Sequence, residues 1–415
     1  MTEQEIAALG PAFAAELRAY RGCFKQDRTA GHFDTYCRGL LADLPRKSVE
    51  PIALAAGTAV RTLQEFLTTA GWDHDAARDR LQRRLAGVAS ALPGGDLGTV
   101  GVIDETSGVK KGDKTPGVQR QYLGCVGKID NGVVTVHVGL ARGTFRALLD
   151  ADLYLPRSWA DDRPRCRAAG IPDEVRHRSK WRVALDQLIR LHGNGVRFDW
   201  LVFDEGYGSK VPFLWVLGRL GQKFVAEVPV SFAVRDRDGG MPGRADRFQP
   251  GTGTDRWRRF RLARKTLADQ VWRAKGVRVW VARGWHTLVT AVNQATGEVK
   301  YFVTNATREP LARVMAVGFR RATVEHAFRV AKQEAGLTHY EGRDYTGLIR
   351  HLTLSLVVLG FVAAHTERLR GEKPGPDAGA GVSGVEREVH RVAPPAARGR
   401  SDPAHERSDR LPPAA

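Results

Sequence analysis

The chain has 415 residues, 42% of them hydrophobic, with 64 Lys and Arg against 46 Asp and Glu and a formal net charge of +18. That apolar content excludes wholesale disorder, the length is a prior for two or three domains, and the cationic excess points to a polyanionic partner. Cys23, Cys37, Cys125 and Cys166 form no C-x-x-C pair, which argues against a disulfide scaffold or a zinc ribbon.

From the N-terminus, apolar residues recur at helical spacing, as in Val60, Leu63, Phe66 and Leu67, so residues 1–95 are expected to be an all-helical unit. The opening MTEQEIAALG lacks the layout of a secretory signal, and no apolar run reaches the roughly 18 residues of a membrane span. A cytoplasmic protein without a membrane partner is therefore expected. Pro93-Gly94-Gly95 breaks the helical pattern, and a Val- and Ile-rich strand follows over 99–104. Further strands are predicted over 121–128 and 133–140, joined by a turn at Asp130-Asn131-Gly132.

A helix over 179–191, a strand over 198–203, a helix over 210–219 and a strand over 223–228 complete an α/β alternation. Residues 229–307 change to Gly-rich turns and short β-prone runs, predicting a β-rich insertion. Helical spacing resumes over 313–335 and again over 348–367, so the α/β unit is expected to comprise 96–228 and 308–370. Residues 371–415 are dominated by Gly, Pro, Ala and charges, which predicts a disordered tail.

Three carboxylates stand out. Asp104 ends the run Val102-Ile103, and Asp204 ends Leu201-Val202-Phe203 before a Gly-containing turn, so each is held where an apolar strand runs out. Either Asp alone would pass for an ordinary turn former or helix cap. Glu325 lies in a predicted helix with Arg321 four residues before and Lys332 seven after, all near one face. Two Asp and one Glu are acceptor-only oxygen ligands that suit Mg²⁺ or Mn²⁺, and two such ions per site would clamp an in-line displacement at phosphorus.

These residues resemble the DDE transposases of bacterial insertion sequences. The final carboxylate of that superfamily lies in a Tyr-x2-Arg-x3-Glu-x6-Lys signature. Here Arg321, Glu325 and Lys332 hold the spacing, while Gly318 stands in place of the Tyr. The chain is most similar to the family designated insertion sequence 701. The matching blocks include Arg46-Lys47-Ser48-x-Glu50-Pro51, Lys110-Lys111-Gly112, Gly336-Leu337-x-His339-Tyr340-Glu341 and Arg350-His351.

The resemblance implies an RNase H-like catalytic domain interrupted by the β-rich insertion. It also implies that Asp104, Asp204 and Glu325 bind two divalent ions and catalyse hydrolysis and strand transfer at the element's ends. The partners implied are double-stranded DNA, as terminal inverted repeats and target, and a second copy of the chain on paired ends. Lys110, Lys111 and Lys114, and in the insertion Trp257, Arg258 and Arg259, join Arg321 and Lys332 as candidate DNA contacts, cations for phosphates and an aromatic for an unpaired base. The alternatives are a catalytically silent DNA-binding relic or regulator and a metal-dependent nuclease.

Overall fold

A computed structural model describes residues 3–248, 257–262, 270–322, 328–329, 331 and 333–372. Glu325, Lys332 and nearly all of the expected tail lie outside the described residues.

The N-terminal stretch forms α1 (Glu3–Arg18), α2 (Asp27–Leu41), α3 (Val49–Ala55), α4 (Val60–Thr68) and α5 (His74–Ala91). Asp73 caps α5, its carboxylate accepting from Ala76 N at 2.8 Å. Gly39 lets α2 and α3 close together, since a Cβ there would fall 2.3 Å from Ile52 Cγ2. The long helix Tyr345–Glu372 packs against α2, α4 and α5 and also against the sheet. It is long and apolar enough to cross a membrane, yet Leu352, Leu354, Leu356, Val357 and Val358 are buried in the protein core.

Among the described residues, ten strands form one mixed sheet. Its first part is β1 (Thr99–Val109), β2 (Gln119–Leu123), β3 (Lys128–Arg142) and β4 (Phe145–Leu153). β3 lies antiparallel to β1 along one edge and to β2 and then β4 along the other. After short α6 (Arg157–Ala160) and α7 (Arg163–Ala168), α8 (Lys180–Gly193) crosses the sheet, Gln187 donating to Val136 O at 2.8 Å. The chain then enters β5 (Trp200–Phe203), parallel to β1. A single turn, α9 (Glu205–Gly208), and α10 (Val211–Arg219) lead to β6 (Phe224–Val228), parallel to β5. Helical crossovers are what parallel neighbours require.

Two features differ from the sequence expectation. Asp130-Asn131-Gly132 is not a turn, because the register runs from Gln119 opposite Gly132 to Leu123 opposite Lys128. The reversal therefore falls over 124–127, where Gly127 takes a φ of 65°. Asn131 instead donates from its side chain to Lys110 O at 2.8 Å and Gly112 O at 2.7 Å, so its polar group serves a neighbouring loop. The second concerns the β-rich insertion expected over 229–307, most of whose strands join the main sheet, a connection the sequence pattern did not indicate. Beyond a small pair, β7 (Ala233–Val234) and β8 (Gly243–Arg244), the strands β9 (Arg258–Leu262), β10 (Gln270–Val281), β11 (Gly284–Asn293) and β12 (Val299–Thr304) run antiparallel in series. β12 then pairs with β6, so the sheet is continuous. α11 (Leu311–Gly318) and a 3-10 turn, Phe319–Arg321, follow.

Candidate active site

Ile103 of β1 lies directly opposite Phe203 of the parallel strand β5. The next residue of each, Asp104 and Asp204, therefore lies just beyond the last parallel pair; Asp204 follows the end of β5, whereas Asp104, expected at a strand end, is inside β1, which continues to Val109 because β3 still pairs with it. Asp204 is also the N-cap of α9, its Oδ1 accepting from Gly206 N at 3.0 Å and Tyr207 N at 3.3 Å. One carboxylate thus combines the cap role and the strand-end position that the sequence left open as alternatives.

Asp104 is largely buried. Its Oδ1 accepts from Glu105 N at 2.8 Å, and its Oδ2 lies 3.4 Å from Arg321 Nη1. Burial pushes its carboxyl up to about 7, the Arg321 guanidinium opposing this and the Asp204 charge adding to it. Arg321 is shared, because its Nε lies 3.7 Å from Glu227 Oε2 of β6, and Glu227 in turn accepts from Lys300 Nζ at 2.6 Å. Arg321, expected as a DNA contact, lies between the carboxylates of Asp104 and Glu227.

Tyr207 is fully buried, and among the described residues its hydroxyl has no hydrogen-bond partner. Burial, then Glu105, Asp104 and Asp204, hold the phenol well above its usual range. Close approach fixes its turn, since a Cβ on Gly208 would fall 2.0 Å from Glu227 O. A cleft of about 390 Å³ opens beside Asp104, lined also by Glu105, Ser107, Cys125, Phe328 and Arg329. Phe328 packs its ring 5.0 Å from His137, the register partner of Asp104. Among the described residues no group of three His, Cys, Asp or Glu is assembled for a metal. The neighbouring oxygens of Asp104 and Asp204 still suit a hard cation, and burial leaves the ionised form of Asp104 under-compensated by the protein.

The expected DNA contacts separate into different roles. Lys110 is a correction: its ammonium is part-buried and donates to Thr338 O at 2.8 Å and to Tyr340 O, and burial lowers it to about 8. A cation spent on two carbonyls is not displayed to a phosphate. Lys111 is exposed, and Lys114 is exposed near Asp113 at 3.8 Å. Trp257 is 41% exposed, with Arg273 4.8 Å and Lys275 5.5 Å from its ring. Arg259 opposes Arg273 in the register while Arg258 opposes Ala274, so the two arginines point to opposite faces of the ribbon. Trp272, by contrast, is core.

Sequence reasoning missed Glu227 and Lys47. Glu227 was visible as a lone acid in the apolar strand Phe224–Val228. Lys47 is almost fully buried, its Nζ donating to Leu40 O at 2.9 Å and to Glu334 O, and its backbone N donating to His339 Nδ1 at 3.0 Å. Arg46 pairs with Glu341, and His351 links Tyr36 OH to Gly336 O, each at 2.9 Å. The segment that follows the Glu325 region is thereby tied to the helical N-terminus.

Residues 19–291 match the family described as DDE superfamily endonuclease, a span that includes Asp104 and Asp204 and ends before Glu325. The chain is also 33% identical over 213 residues to a protein of Microchaete diplosiphon named "Probable transposase for insertion sequence element IS701". That alignment covers 50% of this chain and 51% of the relative, so the chain spans about half the length of the curated relative it matches.

Proposed function

The chain belongs to the DDE superfamily endonuclease family, and from that premise we propose that it is a DNA transposase that cuts at the ends of an insertion sequence and joins them to target DNA. The observation that carries this reading is that Asp104 and Asp204 each follow the last paired residue of two neighbouring parallel strands, Ile103 opposite Phe203, with the Asp104 carboxyl held up near neutrality by burial.

In this reading Asp104, Asp204 and Glu325 hold two Mg²⁺ or Mn²⁺ ions. When bound, such ions activate a water or a 3′-hydroxyl and stabilise charge on the phosphodiester. The protein's own groups supply order. The backbone N–H groups of Gly206 and Tyr207 orient Asp204, leaving its second oxygen for a ligand. Arg321 stands 3.4 Å from the Asp104 carboxylate, where its guanidinium would also suit a phosphate oxygen of the substrate. Lys332 serves as a further phosphate contact, and the Trp257, Arg258 and Arg259 ribbon contacts DNA beyond the cleft. A dimer on paired element ends and a nucleoid-associated location follow from the reaction, since two ends must be cut and joined together.

The test is cleavage of a duplex bearing the element's terminal repeat, with Mg²⁺ or Mn²⁺, by the wild type and by Asp104→Ala, Asp204→Ala and Glu325→Ala. Metal-dependent cuts at the repeat boundary, lost in all three variants with DNA binding retained, are expected. Binding without cleavage would support a silent DNA-binding protein, and sequence-independent cutting a general nuclease.

A further inference from the structure

The edge of the sheet carries a surface that the cleavage chemistry does not use. β2 is an edge strand, and its Tyr122 stands directly opposite Ile129 of β3. These two side chains are 61% and 62% exposed, a cross-strand apolar pair left open to water. Proteins protect sheet edges from such exposure unless the surface has a use. The surroundings are cationic. Arg120 is two residues from Tyr122 on the same side of the strand and is exposed. The loop carrying exposed Lys111 and Lys114 is tied to the hairpin by the two Asn131 hydrogen bonds to Lys110 O and Gly112 O.

The hairpin is also aligned with the reactive end of the sheet. Asp104 is paired with His137, and Ile129 lies eight residues away along the same strand, an even number. Ile129 and Tyr122 therefore share the sheet face of Asp104, at a separation of about 27 Å by strand rise. That is about eight base pairs of duplex at 3.4 Å each.

We propose that the β2–β3 hairpin is a second duplex-DNA contact, in which Tyr122 and Ile129 press an apolar wedge into the groove while Arg120, Lys111 and Lys114 hold the flanking phosphates. This rests on the DNA reading above and adds a role that the carboxylates do not supply: the wedge bends the duplex within one helical turn of the site. Apolar side chains flanked by cations are the chemistry that opens a minor groove and kinks the helix.

The test uses the full chain and a duplex of about three helical turns, labelled at both ends for energy transfer, titrated over a range of salt. For the double variant Tyr122→Ala with Ile129→Ala, binding about tenfold weaker at every salt concentration, with the salt slope unchanged and the bend reduced, is expected. Lys111→Ala with Lys114→Ala should instead lower the slope by about 2. Tyr122→Phe with Ile129→Leu should restore binding and bend, which separates an apolar contact from a damaged fold. Wild-type affinity and bend in the Ala pair would overturn the proposal, as would failure of the Phe and Leu pair to rescue. A fall from dimer to monomer in sedimentation with DNA binding unchanged would assign the face to a second copy and overturn it too. If the wild type binds no duplex in a salt-dependent manner, the DNA reading itself fails and the hairpin proposal falls with it.

Discussion

Replacing Asp104 with Asn should make the metal-free protein more stable at alkaline pH while destroying its chemistry. The carboxyl is raised from 3.8 to about 7, mainly by burial. The native state therefore holds this proton more tightly than the unfolded chain, and stability falls as pH rises from about 4 to about 7. Above pH 7 the ionised carboxylate costs the fold about 4 kcal/mol. Asn keeps an acceptor for Glu105 N and removes the charge, and the raised value already includes the attraction of Arg321 at 3.4 Å. A net gain of about 4 kcal/mol at pH 8, shrinking to less than half near pH 5, is expected. Urea unfolding in a chelator at the two pH values measures it. Adding Mg²⁺ should then stabilise the wild type and leave Asp104→Asn unmoved, because only the former gains a ligand for the cation. A variant that is less stable at pH 8, or an equal Mg²⁺ response in both proteins, would refute the reasoning that this carboxylate is strained for cation binding.

Substitutions at three further positions separate positioning from contact. Lys110→Ala should cost about 2 kcal/mol by leaving the Thr338 and Tyr340 carbonyls unpaired, and it should slow cleavage without changing the salt slope of DNA binding; a lower slope would return Lys110 to the DNA surface. Gly208→Ala drives a Cβ to within 2.0 Å of Glu227 O, so it should abolish cleavage although no carboxylate is altered, and normal turnover would show that the turn and β6 can part. Arg350 donates to the carbonyls of Phe66, Leu67, Thr68 and Trp72 from a buried position; Arg350→Ala should cost about 3 kcal/mol or more in chemical denaturation, and Arg350→Lys should recover only part, since one ammonium cannot reproduce the planar fork.

Local pattern was sufficient wherever one stretch of chain decides its own conformation. The apolar runs ending at Phe203 and Val228, the helix over Lys180–Gly193 and the strand Val299–Thr304 all follow from side-chain period and breakers, because backbone hydrogen bonding and burial there act on neighbours in sequence. Asp204 was legible for the same reason, as a charged residue where an apolar strand runs out, whereas β1 runs on past Asp104 to Val109 because β3 pairs with it there. What required the folded chain was every property set by a distant partner. The register that moved the turn from Asp130-Asn131-Gly132 to 124–127 depends on β1 and the Lys110 loop, to which Asn131 gives its amide.

Lys110 itself reads as one of a solvated basic run until residues 228 and 230 positions away supply carbonyls that bury it. The continuous sheet likewise depends on β12 finding β6 across about seventy residues. Sequence period reports which side of an element is apolar, but burial, ion pairing and the near-neutral carboxyl of Asp104 arise only when Arg321, Asp204 and the surrounding core are brought around it, because desolvation is a property of the packed volume and not of the chain that enters it.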